Sequence, residues 1–479
     1  MTIELTVEEL AKLRVCSSCV GERFLSGEIR SRGNEGVCSY CKDDARTFSI
    51  DELADEISTA FRDHYYLTES EPDLIEYRAW MDEEINYEWE RKGYPVTDVI
   101  ADAANVTNEV AEDIRQVLEE RDADDDPSSV GYDKPFDSEA YYEERDIDDE
   151  ESQSGWLHFE ESLTTEARYF NPAAEAILTS TFEGIAEHKT HEGRPIIIDA
   201  GPGTGLTFLY RARVFQSVVE LEEALKRPDL EVGPPPSTSA SHGRMNAHGV
   251  SVFYAATNPT IALAEVRPPI DSRVVVGRFE ITRPIRVLDI EALRKLNVEG
   301  SIFDPMYIER LRKAKFLRWL SRRISQPVMP NDEPFDYLPT QAIADYLATQ
   351  REPELDGILY PSVQGTGGAN VVLFHKASRV QELDIPEGAE LEAYSYTYTD
   401  EGRETEYSVY ENVPTVGEAQ PAVIDPVLMI PLGAGGPPDS NDRQVTLALS
   451  IDALEVHHVR VISFKTDTDK VSRQRLEKH

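Results

Sequence analysis

All four cysteines of this 479-residue chain fall within its first 41 residues, as Cys16-Ser17-Ser18-Cys19 and Cys38-Ser39-Tyr40-Cys41, with eighteen residues between the pairs. Two CxxC knuckles can bring four thiolates to about 2.3 Å from one tetrahedral zinc, and a set of four cysteine ligands leaves no open position for water. The N-terminus MTIELTVEELAK lacks the basic and apolar regions of a signal peptide, and no stretch approaches the ~20 apolar residues of a membrane span. A cytoplasmic location is expected, where reducing conditions favour a metal over two disulfides. Cys16, Cys19, Cys38 and Cys41 are therefore read as ligands of a structural zinc ribbon, not as a catalytic or redox centre.

Helical patterning follows. Ser49-Ile50-Asp51-Glu52 reads as a capping box, after which Leu53, Ile57, Ala60 and Phe61 share one face. Val106, Val110, Ile114, Val117 and Leu118 repeat the spacing. Between them, 76–93 reads as a third helix whose Trp80 and Trp89 belong to the core. Residues 122–155 are acidic and turn-rich, as expected of a linker or long surface loop. Asn171-Pro172 then starts a helix expected to run to about Ile185. These readings divide the chain into 1–121, a zinc knuckle with helices; 122–155, an acidic linker; and 156–479, a larger domain with its core over 207–380.

From Arg194 the period shifts toward strands: PIIIDA, TFLYRARVF, RVVVGRFEI and PIRVLDI. Gly201-Pro202-Gly203-Thr204-Gly205 lacks the GK[ST] ending of a phosphate loop and precedes a strand, so it reads as a turn. The segment Gly243–Glu265 concentrates polar chemistry. Val250–Ala256 suits a buried strand, and Thr257-Asn258-Pro259 starts a short helix that ends near Glu265. One loop (Arg244, Asn246), one strand (Tyr254) and one helix (Glu265) can thus face one cleft. A carboxylate in so apolar a helix is costly without a partner.

The formal net charge of −42 comes from 90 acidic and 48 basic residues, of which Lys supplies 13. Such a surface repels nucleic acid and anionic membrane. Its even spread resembles the surface of a protein from a high-salt cytoplasm, a halophilic adaptation. The basic cluster Arg310, Arg312, Lys313, Lys315, Arg318, Arg322 and Arg323, on a helix capped by Asp304-Pro305, is read as a face of internal salt bridges.

Further on, GILYPS and VVLF read as strands flanking a Gly-rich loop that ends at Asn370. Ser362 has no His or Asp at nucleophile-elbow spacing, so it reads as a hydrogen-bonding serine. Residues 388–413 suggest a hairpin. His457 and His458 sit on a final edge strand, where neighbours face opposite sides and make poor joint metal ligands.

Four blocks carry a resemblance: LYRAR at 209–213, GRMN at 243–246, VFYAATNPTIALAE at 252–265, and YLPTQ through DGILYPS to GGANVVLF at 337–374. In this order they resemble the RES-domain family, over roughly Tyr210–Val380. The four-cysteine segment with its helices is similar to the N-terminal HEPN/RES module fused to some RES domains. HEPN nucleases need Arg and His a few residues apart on a helix; Arg62 and His64 are too close, so no RNase activity is expected. The resemblance implies an α+β chain whose C-terminal part is an ADP-ribosyltransferase-like split mixed β-sheet with helices and a cleft for NAD. It implies a toxin of a toxin–antitoxin pair that consumes NAD, with an antitoxin or a neighbouring-gene regulator as partner. It places the family's Arg, Tyr, Glu and Ser on Arg244, Tyr254, Glu265 and Ser362. Met245 stands where the family usually has an aromatic residue.

Cleaving the bond between nicotinamide and ribose leaves positive charge on the sugar, as in glycoside hydrolysis. Glu265 suits stabilising that charge and holding the ribose hydroxyls. A forked guanidinium at Arg244 suits the pyrophosphate, with Arg211 or Arg213 as a second contact. Tyr254 offers a flat face, and Ser362, Asn246 and Asn370 offer hydrogen bonds. The alternative for each is structural: an Arg244–Glu265 ion pair, a core tyrosine, a turn serine. The expected activity is NAD glycohydrolysis or phosphorolysis. Protein ADP-ribosyltransfer is the alternative, and a catalytically inactive binding module is a third reading.

Overall fold

The computed structural model describes residues 5–81, 88–122, 134–362, 364, 367–400, 402–414, 442–463 and 466–473. They form two compact units, Met1–Ser154 with Asn297–Phe316 and Gly155–Leu296 with Leu317–His479. The chain is α+β.

In the first unit a three-stranded antiparallel sheet has Asp44–Ser49 between Arg14–Cys16 and Asn34–Val37. The capping box forms: Ser49 Oγ accepts from the Glu52 amide at 3.1 Å, and Glu52 Oε2 accepts from the Ser49 amide at 2.7 Å. It starts the helix Ile50–His64, whose Leu53, Ile57, Ala60 and Phe61 pack in a core shared with Val96–Ala104 and Asn108–Arg121. The third helix spans Leu74–Met81; 82–87 lie outside the described residues, and 88–93 are not helical. Trp80 corrects its core assignment, being 51% exposed, whereas Trp89 is half-buried with its indole N–H on Glu76. Apolar residues repeat too loosely along this helix to bury one face. Within the acidic stretch, Phe136, Ala140 and Tyr142 are buried, and Tyr141–Glu144 forms a strand between Tyr65–Leu67 and Tyr94–Pro95. Three apolar side chains there supply a core face that the surrounding charge obscures.

The second unit is built on a curled mixed sheet of nine described strands: β1 Ile197–Ala200, β2 Phe208–Phe215, β3 Phe253–Ala256, β4 Arg273–Ile281, β5 Ile285–Asp289, β6 Gly357–Pro361, β7 Ala369–Leu373, β8 Leu447–Leu449 and β9 Glu455–His458. Their order is β8-β4-β2-β3-β7-β6-β5-β1, with β9 also on β4. Only β5 and β6 run parallel among the described pairs. A parallel pair needs a long crossover, and 290–356 supplies it. That segment contains α2, Tyr307–Ile324, and α3, Leu338–Thr349. α1, Pro259–Glu265, follows β3 directly; Asn258 Oδ1 caps it by accepting from the Ile261 amide at 2.9 Å.

The core beneath the sheet includes Leu209, Phe253, Val275, Phe279, Val287 and Leu373. Gly201-Pro202-Gly203 is a turn after β1, and Gly201 has φ 118° with an added Cβ placed 2.5 Å from the Arg283 carbonyl. Backbone contact this close, in a left-handed conformation, admits only glycine. The 388–413 hairpin appears as two ladders, Glu390–Tyr394 with Ser408–Asn412 and Thr397–Thr399 with Gly402–Glu404. Along the basic helix, Arg310, Arg312, Lys315 and Arg323 pair with Asp304, Glu309, Asp146 and Glu160.

Candidate active site

β2, β3, β7 and β6 lie side by side, and residues of all four line a cavity of about 400 Å³. That size falls within the ~300–1,000 Å³ of small-molecule sites. α1 ends beside it because its cap and Pro259 fix the start, and seven residues bring Glu265 to the rim while Ile261 and Ala262 stay buried.

Glu265 Oε1 accepts two hydrogen bonds, from Ser362 Oγ at 2.6 Å and from Asn370 Nδ2 at 2.8 Å. Both donors use the same oxygen, and among the described residues Oε2 has no protein donor. The second oxygen is thus available to a ligand in the cavity. Asn370 lines the cavity and reaches it from β7, where it pairs with Ala256 and Tyr360. Ser362 follows β6 and orients the carboxylate from behind; its Oγ also accepts the Gln364 amide at 3.1 Å. These bonds offset the cost of a carboxylate in an apolar helix.

Arg244 does not pair with Glu265. Its Nη1 and Nη2 donate to the Ile324 carbonyl at 2.6 Å and the Gln326 carbonyl at 3.0 Å, at the end of α2. A helix C-terminus carries partial negative charge, so a guanidinium is well placed there. Its Cζ lies 5.4 Å from the Tyr337 ring centroid, within cation–π range. Among the described residues no carboxylate pairs with it, so the charge is held in place without being neutralised.

Tyr254 divides its functions. Its ring lines the cavity, while its hydroxyl donates to Asn246 Oδ1 at 2.8 Å and accepts from the Met245 amide at 2.9 Å. Burial pushes its pKa well above the usual tyrosine value, so it stays protonated. Asn246 is buried, and its Nδ2 donates to the carbonyls of Ser241, Ala247 and Val250. Its expected ligand contact is replaced by a scaffolding one, because every polar atom of the side chain already has a partner. Met245 is buried too, so it turns away from the ligand space, and only its amide takes part. Gly243 is required here because a Cβ would stand 2.6 Å from the Tyr254 hydroxyl.

Of the two candidate arginines on β2, Arg211 lines the cavity and Arg213 does not. Arg213 pairs with Glu231 at 2.7 Å. Arg211 donates to the Tyr254 carbonyl at 2.6 Å and lies 5.3 Å from the Phe253 ring centroid. Desolvation first, and then the Arg213 charge, push its pKa down to about 10; it remains a cation at neutral pH. Sequence reasoning missed Arg267, Glu333, Tyr337, Tyr360 and His242, which also line the cavity. Tyr337 was detectable as the first residue of the YLPTQ block. The cavity holds Arg211, Arg244 and Arg267 against Glu265 and Glu333. Among the described residues none of these arginines forms an ion pair. A chain of net charge −42 therefore presents a locally cationic pocket.

At the other end of the chain the four thiol sulfurs lie within 4.8 Å of one another. Cys16 and Cys41 are 3.5 Å apart, and Cys19 and Cys38 are 3.9 Å apart. Sulfurs at ~2.3 Å from a tetrahedral centre stand about 3.8 Å apart, so this donor set fits one metal ion. His64, on the nearby helix, is buried while Arg62, two residues earlier, is 71% exposed.

The family model of the RES domain matches residues 213–398, and that of HEPN/RES N-terminal domain 1 matches 31–176. No curated protein and no solved structure matches the chain. With both models matched in order along one polypeptide, the chain carries a RES domain preceded by an N-terminal HEPN/RES module.

Proposed function

We propose that this protein consumes NAD by cleaving the bond between nicotinamide and ribose, releasing the sugar to water or to phosphate. The observation that carries the reading is the Glu265 carboxylate in the cavity wall, held through one oxygen by Ser362 and Asn370. The RES-domain match supports NAD at the level of the family.

In this mechanism Glu265 Oε2 accepts a ribose hydroxyl and stabilises the positive charge that develops as the glycosidic bond breaks. Ser362 and Asn370 hold the carboxylate in place, which avoids reorganisation during the reaction. Arg244 and Arg211 supply the cationic wall for the pyrophosphate, donating through N–H groups not used on backbone carbonyls. The faces of Tyr254, Tyr337 and Tyr360 exclude water and receive flat rings. The four-thiolate group holds structural zinc and has no part in the chemistry. The biological setting that fits is a toxin or defence effector in the cytoplasm, restrained by an antitoxin or a regulator from a neighbouring gene.

Purified protein incubated with NAD at high salt is expected to release nicotinamide. Glu265→Gln is expected to lower kcat by about 10²–10³-fold, the usual size of one preorganised electrostatic contribution. Intact NAD with wild type, or equal turnover by the variant, refutes the reading. Phosphate-dependent turnover separates phosphorolysis from hydrolysis. Label from NAD retained on a macromolecule identifies ADP-ribosyltransfer. Growth arrest that persists after Arg244→Ala identifies a non-catalytic binding module.

A further inference from the structure

The YLPTQ block has a physical task that the NAD chemistry alone does not assign. It opens α3, and three of its side chains reach the loop that carries Arg244. The Tyr337 ring faces the guanidinium, Thr340 Oγ1 donates to the Arg244 carbonyl at 2.5 Å, and Gln341 Nε2 donates to the Gly243 carbonyl at 2.8 Å. Thr340 and Gln341 are both buried. Consecutive carbonyls of the loop are thus latched by consecutive side chains of one helix.

The latch has a further member. Gln341 Oε1 accepts from Arg168 Nη2 at 2.6 Å. A guanidinium only donates and a carbonyl only accepts, so an amide between them satisfies both in one orientation alone. Arg168 and the Gly243 carbonyl therefore select the same orientation of the Gln341 amide, and Arg168 adds a second bond that any rotation must break. Without it, a rotation of the amide would set oxygen against oxygen and release the loop. Arg168 lies outside the RES match at 213–398 and inside the N-terminal match at 31–176, yet it belongs to the second compact unit.

We propose that Arg168 is a positioning residue for Arg244, acting through the Gln341 amide and the Gly243 carbonyl, and that the catalytic unit is incomplete without this residue from the preceding segment. The role of Arg244 in holding the anionic half of the substrate rests on the reading above. Arg168 itself is exposed, so its replacement leaves the core intact.

The test compares Arg168→Met, Gln341→Met and the double variant in the full chain. Each single change is expected to raise KM for NAD about threefold to tenfold, the size of one lost hydrogen bond, with kcat within about twofold, because ground-state and transition-state binding fall together. The double variant is expected to resemble the singles, since both act through one contact. Arg168→Lys, which can still donate, is expected to recover part of the loss. Unchanged KM in Arg168→Met, additive losses in the double variant, or a lower Tm without a change in KM overturns the proposal. Backbone amide exchange over 243–246 decides the matter independently of turnover. Faster exchange in both single variants supports the latch even if wild type leaves NAD intact, an outcome that refutes the NAD reading alone. Unchanged exchange there overturns the latch.

Discussion

Replacing Tyr254 with Phe removes one oxygen and tests whether this residue's hydroxyl belongs to the scaffold or to the ligand. The hydroxyl donates to Asn246 Oδ1 and accepts from the Met245 amide, and both partners belong to residues buried to 3% and 2% exposure. Phe fills the same volume, so the cost is not a cavity. It is two buried polar groups left without partners, each worth about 1–3 kcal/mol. Water could reach one of them through the neighbouring cavity, which lowers the sum to about 2–4 kcal/mol. For a unit of this size, that corresponds to a fall in Tm of roughly 3–6 °C. Denaturant titration gives the free energy, and the midpoint must move without a change in slope. Substrate affinity is expected to change less than stability, because the ring face remains. A loss below about 0.5 kcal/mol, or full stability with abolished NAD binding, would show that the hydroxyl serves the ligand and that the scaffold argument fails.

Two other expectations concern the first unit. Purified protein is expected to contain one zinc per chain by elemental analysis, and a chelator or Cys38→Ser is expected to lower the melting temperature of this unit; unchanged melting after metal removal would count against a structural ion. His64 is buried beside the Tyr307 ring at 5.9 Å, and its pKa is lowered by desolvation. The unfolded chain therefore takes up a proton as pH falls through about 6.5 before the folded chain does, so stability is constant above that value and declines below it. Denaturation of wild type and His64→Gln between pH 7 and pH 5 checks the sign, and an equal decline in both would refute the assignment to His64.

Much of the local architecture was legible because local signals encode it. The capping box at Ser49 and Glu52, the Asn258-Pro259 start and the alternating runs at 208–215 and 273–281 each specify an element within a few residues of chain. Trp80 went astray because aromatic residues at helical spacing signal burial only when the rest of the face is apolar. Residues 136–142 were obscured by the acids around them.

The sequence by itself determined which polar residues gather near Gly243–Glu265, and that Cys16, Cys19, Cys38 and Cys41 form one set. The tertiary structure decided what each one touches. An Arg244–Glu265 ion pair stood as the structural alternative, yet Arg244 is held by carbonyls some eighty residues downstream, and Glu265 by side chains about a hundred residues downstream. Arg211 and Arg213 stand two apart on one strand and so share a face, and only the place of the cavity along that strand separates them. Propensity and periodicity act over a few residues and so can be read from the chain. A hydrogen-bond partner or a counter-charge is chosen by packing across the whole unit, and no local pattern records it.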